Sequence, residues 1–197
     1  MKTPQPLILA SSSPRRRELL ERLHIQIEIH PADVDETPLK NEDAKAMVLR
    51  LAKDKAAVIA RQFPGRWVLA SDTTVAQDGK PIGKPTSEAD ARRTLKRLQG
   101  KKHQVYTAIC LQNGKKKYAL ADTTDVVFRK MTDKEIAWYV KTGEPMDKAG
   151  SYAIQGIGGL FVKGIRGSYS NVMGLPTERL VELLKKAGIL EALLYRK

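Results

Sequence analysis

The sequence predicts an α/β fold. Short apolar runs of strand length alternate with helical segments of 3.6-residue periodicity, first at 7–10 before a helix from Pro14, then at 25–29 before a helix over 41–62. A third apolar run, 67–70, ends in the polar group Ser71-Asp72-Thr73-Thr74, and Asn113-Gly114 marks a hairpin between two segments rich in Val, Tyr, Thr and Ile. With 197 residues the chain can bury a substantial core, and its length suggests one domain, or two small lobes at most.

The opening stretch organises the rest. Leu7-Ile8-Leu9-Ala10 reads as a buried strand, Ser11-Ser12-Ser13 as a turn, and Pro14 suits the first turn of a helix because its missing N–H costs nothing there. Ser13 is the natural N-cap, and Leu19, Leu20 and Leu23 give the helix an apolar face. Free backbone N–H groups, hydroxyls and the arginines Arg15, Arg16 and Arg17 therefore meet in one place, which suits a phosphate. A capped surface helix with solvated arginines is the competing reading.

The strand at 25–29 leads into an acidic loop, Asp33-Val34-Asp35-Glu36, bracketed by Pro31 and Pro38. Its carboxylates suit a divalent cation or a general base, although for the loop taken alone an exposed turn is the commoner use of such a composition. The helix over 41–62, with Asn41 able to cap, carries Lys53 and Lys55 on different faces, so at most one of them points towards a given site. The strand at 67–70 delivers Asp72 at its carboxyl end, where open α/β sheets hold their ligands. Residues 75–80 read as a strand with a turn at Asp78-Gly79. Pro85 then holds Lys84 extended, able to aim its ammonium at a phosphate or simply solvated.

A capping box at Ser87–Asp90 opens a helix ended by Gly100, and the hairpin pairs 104–111 with 118–128. Thr132 and Glu135 form a second box before a helix over 136–141. The segment 143–156 is either a substrate-binding loop or a set of tight turns. Short strands follow at 160–162 and 167–172, and an amphipathic helix begins near Thr177. There is no internal repeat, low-complexity tract or linker. No P-loop and no Gly-x-Ser-x-Gly elbow occurs, and Gly156-Ile157-Gly158-Gly159 lacks the third glycine of a dinucleotide fingerprint.

The 42% hydrophobic and 29% charged content is that of a soluble protein, and no apolar run approaches the roughly 20 residues of a membrane helix. Cys110 is the one cysteine, and His24, His30 and His103 lie in unrelated segments, which excludes a disulfide framework and a thiolate zinc site. No secretory signal precedes the first strand, so a cytoplasmic location is expected. The formal charge of +13 attracts phosphorylated small molecules or nucleic acid, but the basic residues are spread along the chain, not gathered in one tail.

Taken in order, eight motifs resemble the Maf family of nucleotide pyrophosphatases: 9–16, Val34-Asp35-Glu36, 51–56, Ser71-Asp72-Thr73, Gly83-Lys84-Pro85, 103–108, 143–152 and Gly174-Leu175-Pro176. The resemblance covers essentially the whole chain, read as a single domain over 1–197. It implies an elongated, two-lobed, inosine-triphosphatase-like (Maf/Ham1) fold, with a mixed twisted sheet flanked by helices around a central cleft. The implied reaction is hydrolysis of a nucleoside triphosphate to the monophosphate and pyrophosphate, assisted by a divalent cation, Mg2+ or Mn2+. Mapped motif onto motif, Ser13, Arg15 and Arg16 cradle the phosphates. Glu36 and Asp72 handle the metal and the attacking water, and Lys55 and Lys84 offset the triphosphate charge. Asp35 beside Glu36 leaves open which carboxylate works. Homodimers are common in the family, and house-cleaning of modified pyrimidine nucleotides and a brake on cell division are both compatible with it.

The branch acting on dTTP and UTP looks like Ser-Asp-Thr followed later by Ile-Gln-Gly, and the 7-methyl-GTP branch like Ser-Asp-Gln followed by Ser-Glu-Gly. This chain has Thr73 after Asp72, Gln155 within Ile154-Gln155-Gly156, and His103-Gln104-Val105, so dTTP and UTP are favoured. A glutamine amide both donates and accepts, as a uracil or thymine edge requires. The alternatives are a 7-methyl-GTP pyrophosphatase and a non-catalytic, basic nucleic-acid-binding protein. The latter would use Trp67, Trp138 and Tyr106 for stacking, but the tryptophans sit in apolar patterns that read as core and no nucleic-acid-binding signature occurs.

Overall fold

The sheet is set by which strands the chain can reach from its first. In the computed structural model, which describes residues 5–194, β1 (Leu7–Leu9) is wholly buried and pairs in parallel with β2 (Ile27–Ile29) on one side and β3 (Val68–Gln77) on the other. The connection to β2 runs through α1 (Pro14–Arg22), and the connection onward to β3 through α2 (Ala44–Gln62). From β3 onward the sheet is antiparallel: β4 (Lys80–Ile82) and β5 (Lys102–Asn113) both pair with β3, β6 (Lys116–Phe128) with β5, and β7 (Val162–Arg166) with β6. The order is β2-β1-β3-β5-β6-β7, a mixed α/β sheet flanked by helices as the sequence predicts.

The two faces are packed differently, and residue alternation decides which side chain faces which layer. Ile8, Val68, Ala70, Ala108 and Cys110 face α2, which meets them with Val48, Ala52, Ala56 and Ile59. The small residues let a long helix lie close to the strands. The other face carries Leu7, Leu9, Leu69, Ile109 and Leu111, covered by Leu20 of α1, by α3 (Glu88–Leu98) and α4 (Asp133–Lys141), and by α6 (Thr177–Ala187). The helices α5 (Tyr169–Met173) and α7 (Leu190–Leu194) complete this layer.

Several local expectations change. The helix read from Asn41 begins at Ala44, because the Asp43 carboxylate accepts the N–H of Ala46 at 2.7 Å, while Asn41 is left-handed with φ 62°. The strand read at 67–70 and the one at 75–80 are one strand, β3, so Asp72 stands mid-strand opposite Ala108 instead of at a carboxyl end. Only half of the Ser87 box forms: Ser87 accepts from the N–H of Asp90, whose carboxylate turns to the N–H of Thr86. The box at Thr132 and Glu135 forms in full and starts α4 earlier, at Asp133. Asn113 pairs with Lys116, so the hairpin turns on Gly114 and Lys115. Instead of strands at 160–162 and 167–172 there is a 3-10 turn at Ile157–Phe161 leading into β7, and the helix α5, capped by Ser168. The tryptophans divide: Trp67 is half-buried and packs against the core and Tyr118, whereas Trp138 is 51% exposed and is not core.

His103 of β5 is wholly buried, its Nε2 bonded to the Tyr152 hydroxyl at 2.9 Å and its ring edge-on to Phe128, while Nδ1 has no partner among the described residues. Burial holds its pKa down to about 4. The folded state therefore keeps this imidazole neutral while the unfolded chain protonates near pH 6.5, so stability falls as pH drops from about 6.5 to about 4. The loss from this group is about 3 kcal/mol. Urea unfolding across that range should show His103→Gln losing less stability on acidification than the parent by roughly this amount. Parallel pH profiles for the two proteins would contradict it.

Candidate active site

The order β2-β1-β3 reverses direction at β1, with α1 on one face and α2 on the other, and at such a switch point the loops beyond the strand ends part to leave a crevice. A cleft of about 710 Å³ opens there. It is lined by the turn and first residues of α1, the acidic loop after β2, the centre of β3, Gly83-Lys84, and the segment 147–155. All nine residues singled out from the sequence, Ser13, Arg15, Arg16, Glu36, Lys55, Asp72, Thr73, Lys84 and Gln155, border this cleft.

Its centre is an ammonium between two carboxylates. Lys55 lies on the buried face of α2, between Ala52 one turn before and Ile59 one turn after, and its Nζ reaches Asp72 Oδ1 at 2.7 Å and Glu36 Oε1 at 2.6 Å. Asp72 shares the β3 face of Val68 and Ala70, which is why it meets α2. It is only 8% exposed, and burial pushes its pKa up even against the pull of Lys55 and Arg16. Glu36 is more open: partial burial opposes its ionisation, but Lys55 and then Lys84 hold its pKa below the usual range. Asp35 bonds the N–H of Thr37 at 2.9 Å, so Glu36 is the loop carboxylate that joins Asp72.

The opposite face of β3 holds Arg16. Its guanidinium donates from Nε to the Gly174 carbonyl at 2.9 Å, from Nη1 to Ser11 Oγ at 3.0 Å and from Nη2 to Thr73 Oγ1 at 3.2 Å. Thr73 also meets Thr107, whose hydroxyl donates to the Asn171 carbonyl, and Ser71 donates to the Gly174 carbonyl at 2.8 Å. Arg16 is thus fixed on its supports, whereas Arg15 is looser, with Asp147 Oδ2 at 4.0 Å. Ser13 is the N-cap of α1 as predicted, but its hydroxyl makes no capping bond. Lys84 and Gln155 are exposed on the cleft walls. The backbone joins those two walls, the N–H of Gly150 donating to the Gly83 carbonyl at 3.2 Å.

Sequence reasoning grouped the Ser11 hydroxyl with the arginines but gave no supporting role to Ser71, Thr107, Asn171 and the carbonyl of Gly174. The available signal was hydroxyl residues at strand positions whose neighbours are apolar. It also gave no role to Asp147 and Lys148, an ion pair on the cleft rim. Among the described residues no three of His, Cys, Asp and Glu gather into a metal cage. Glu36 and Asp72 together still suit a magnesium-type ion, which takes one or two carboxylates and completes its shell with substrate phosphate and water.

Comparison with known proteins now decides the family. The family described as Maf-like protein matches residues 6–187. The chain belongs to the Maf family. Among its relatives, the dTTP/UTP pyrophosphatase of Myxococcus xanthus (strain DK1622) is 51% identical, covering 93% of each chain. The protein of the same name from Anaeromyxobacter dehalogenans (strain 2CP-1 / ATCC BAA-258) is 50% identical over 92% of this chain and 94% of its own. The Staphylococcus aureus Ham1 protein matches in structure with a TM-score of 0.54 at 15% identity, covering 93% of this chain and all of that one, so the Maf chain shares the Ham1 fold. No helix among the described residues is long and apolar enough to cross a membrane.

Gly174 ends α5 at φ 106°, a conformation that glycine tolerates and other residues do not, and a Cβ there would stand 3.2 Å from Thr73 Oγ1 and 3.5 Å from Arg16 Nε. Gly174→Ala should therefore cost about 1–3 kcal/mol, read as a lower urea midpoint with an unchanged slope. An unchanged midpoint would mean that the carbonyl does not depend on this backbone geometry.

Proposed function

We propose that this Maf protein hydrolyses dTTP and UTP, and modified pyrimidine nucleotides, to the monophosphate and pyrophosphate. The observation that carries the reading is the Glu36–Lys55–Asp72 cluster facing the basic start of α1 across one cleft. The names borne by relatives at about half identity over nearly the whole chain support the choice of nucleotide.

In the proposed reaction water attacks in line at a phosphorus of the α–β anhydride, and the bridging bond breaks to release pyrophosphate. Asp72 orients the water and takes its proton, a task suited by a buried carboxylate whose pKa is raised. Ser13 and the N–H groups at the start of α1, with Arg15 and Arg16, bind the phosphates, and Lys55 and Lys84 offset the charge growing on the leaving group. A divalent cation held by Glu36 and Asp72 would supply a more acidic water and further charge neutralisation. Thr73 positions Arg16, and Gln155 reads the pyrimidine edge with an amide that donates and accepts. The family resemblance extends the proposal to a single-domain, cytoplasmic homodimer. Light scattering on the purified protein should give twice the chain mass.

Pyrophosphate release from dTTP, UTP, CTP, GTP and 7-methyl-GTP with magnesium or manganese tests the reading, with dTTP and UTP expected to lead. A preference for 7-methyl-GTP would overturn the substrate assignment. Asp72→Asn should lose about 10²–10⁴-fold in kcat while remaining folded. Activity within tenfold of the parent would remove Asp72 from the chemistry. Gln155→Glu should lose the preference for dTTP and UTP, and an unchanged nucleotide profile would remove it from base recognition.

A further inference from the structure

The glycine-rich stretch that carries Gln155 has no strand or α-helix of its own, so something else must hold its backbone. Two side chains outside the cleft do so. Glu144 uses both carboxylate oxygens: Oε1 accepts from the Tyr139 hydroxyl at 2.7 Å and from the N–H of Gly158 at 2.9 Å, and Oε2 accepts from the N–H of Ile157 at 2.9 Å. The Tyr139 hydroxyl in turn accepts the N–H of Ala153 at 3.2 Å. Backbone bonds are thus made two residues before Gln155 and two and three residues after it.

The sequence of the loop is shaped by this clamp. A Cβ at Gly156 would run into the Glu144 carboxylate, and one at Gly158 would lie 2.6 Å from the Tyr139 hydroxyl and 2.9 Å from the Ala153 carbonyl. Two of the three glycines that fit no dinucleotide fingerprint, Gly156 and Gly158, are therefore accounted for by a close approach of side chains from α4 and the turn after it. Tyr139 is wholly buried, and neither it nor Glu144 borders the cleft. Burial and the Glu144 carboxylate both push the tyrosine pKa up, so its hydroxyl keeps its proton and donates it to Glu144.

We propose that Glu144 and Tyr139 are positioning residues for base selectivity, holding the backbone of 153–158 so that Gln155 presents its amide in one orientation to the pyrimidine. This rests on the reading of Gln155 above. Without the clamp, three backbone donors lose their acceptors, the loop samples other conformations, and the cleft discriminates less between bases while its phosphate and water groups stay in place.

The test is kcat and KM for dTTP and GTP in the parent, Glu144→Ala, Glu144→Gln, Tyr139→Phe and Gln155→Glu. Glu144→Ala should lower the dTTP-to-GTP ratio of kcat/KM by about tenfold or more, mainly through the KM for dTTP, with kcat for GTP within about threefold of the parent. Glu144→Gln should restore part of the ratio, since its amide keeps one acceptor oxygen but turns a donor towards an N–H. Tyr139→Phe, which deletes a single hydroxyl, should shift the ratio in the same direction by less. If Glu144→Ala does not fold, Tyr139→Phe and Glu144→Gln decide alone. An equal loss for both nucleotides, with the ratio unchanged, is what a merely structural role gives and would overturn the proposal. A ratio moved by Gln155→Glu but not by the clamp variants sinks the clamp and spares Gln155. The reverse pattern keeps the clamp and assigns base reading to another residue of the loop, and no movement in any variant sinks both.

Discussion

The ammonium of Lys55 is the contact on which the centre of this molecule depends. It draws together a helix, a loop and a strand that are neighbours only because β1 lies between β2 and β3. Two carboxylates brought into a cleft repel one another, and a buried one also loses its hydration. Lys55 offsets both effects without cancelling the second, so Asp72 remains a stronger base than an ordinary aspartate. The arrangement is poised for exchange of partners. A polyanion or cation entering the cleft competes directly with this ion pair, so ligand binding and the local charge balance are linked from the outset.

A single strand serves both halves of the site because its side chains alternate. Asp72 faces α2 and the acidic loop, while Ser71 and Thr73 face α1 and α5. Asp72, the proposed acid–base group, and Thr73, which bonds the guanidinium of Arg16, are thereby set one residue apart in sequence and on opposite sides of the sheet. Arg16 reaches the cleft with its fork already bonded to Gly174, Ser11 and Thr73. Its guanidinium is thus oriented before any ligand arrives, which lowers the entropy lost on binding. Arg15 and Lys84, proposed to bind phosphate as well, are held less tightly than Arg16.

The parts of the fold that announced themselves in sequence are those with a long period or an explicit cap. The strand–proline–helix opening, the β5–β6 hairpin, and the full box at Thr132 and Glu135 each satisfy backbone groups locally, so the sequence carries the reason for them. The parts that did not are held by distant partners. Residues 68–77 read as two strands because the polar run Ser71–Thr74 breaks the apolar pattern, and that run is polar because it serves the site. Residues 169–173 are too short to show helical periodicity, and the β-rich composition around them pointed the wrong way, although Ser168 and Asn171 form its cap. Single-residue spacing could separate the faces of Lys53 and Lys55 but could not bring residues 36, 55 and 72 to one point. That convergence depends on sheet order, and in sequence it was visible only through the resemblance to a family.

The chemistry and the nucleotide preference are assigned to different lengths of chain. The groups proposed to act on phosphates and water all lie before residue 85, and the loop proposed to read the base lies after residue 142. They meet through the pairing of β3 with β5 and through the bond from Gly150 to Gly83, which is backbone to backbone and indifferent to side chains. A change in the loop can therefore alter which base is accepted without disturbing Lys55 or Arg16. One scaffold can support several nucleotide preferences with the same hydrolytic centre, provided that the loop backbone is held. The three acceptor contacts made by Glu144 are what this chain uses for that purpose, and they explain why a segment dense in glycine is ordered where a polar linker of the same composition would not be.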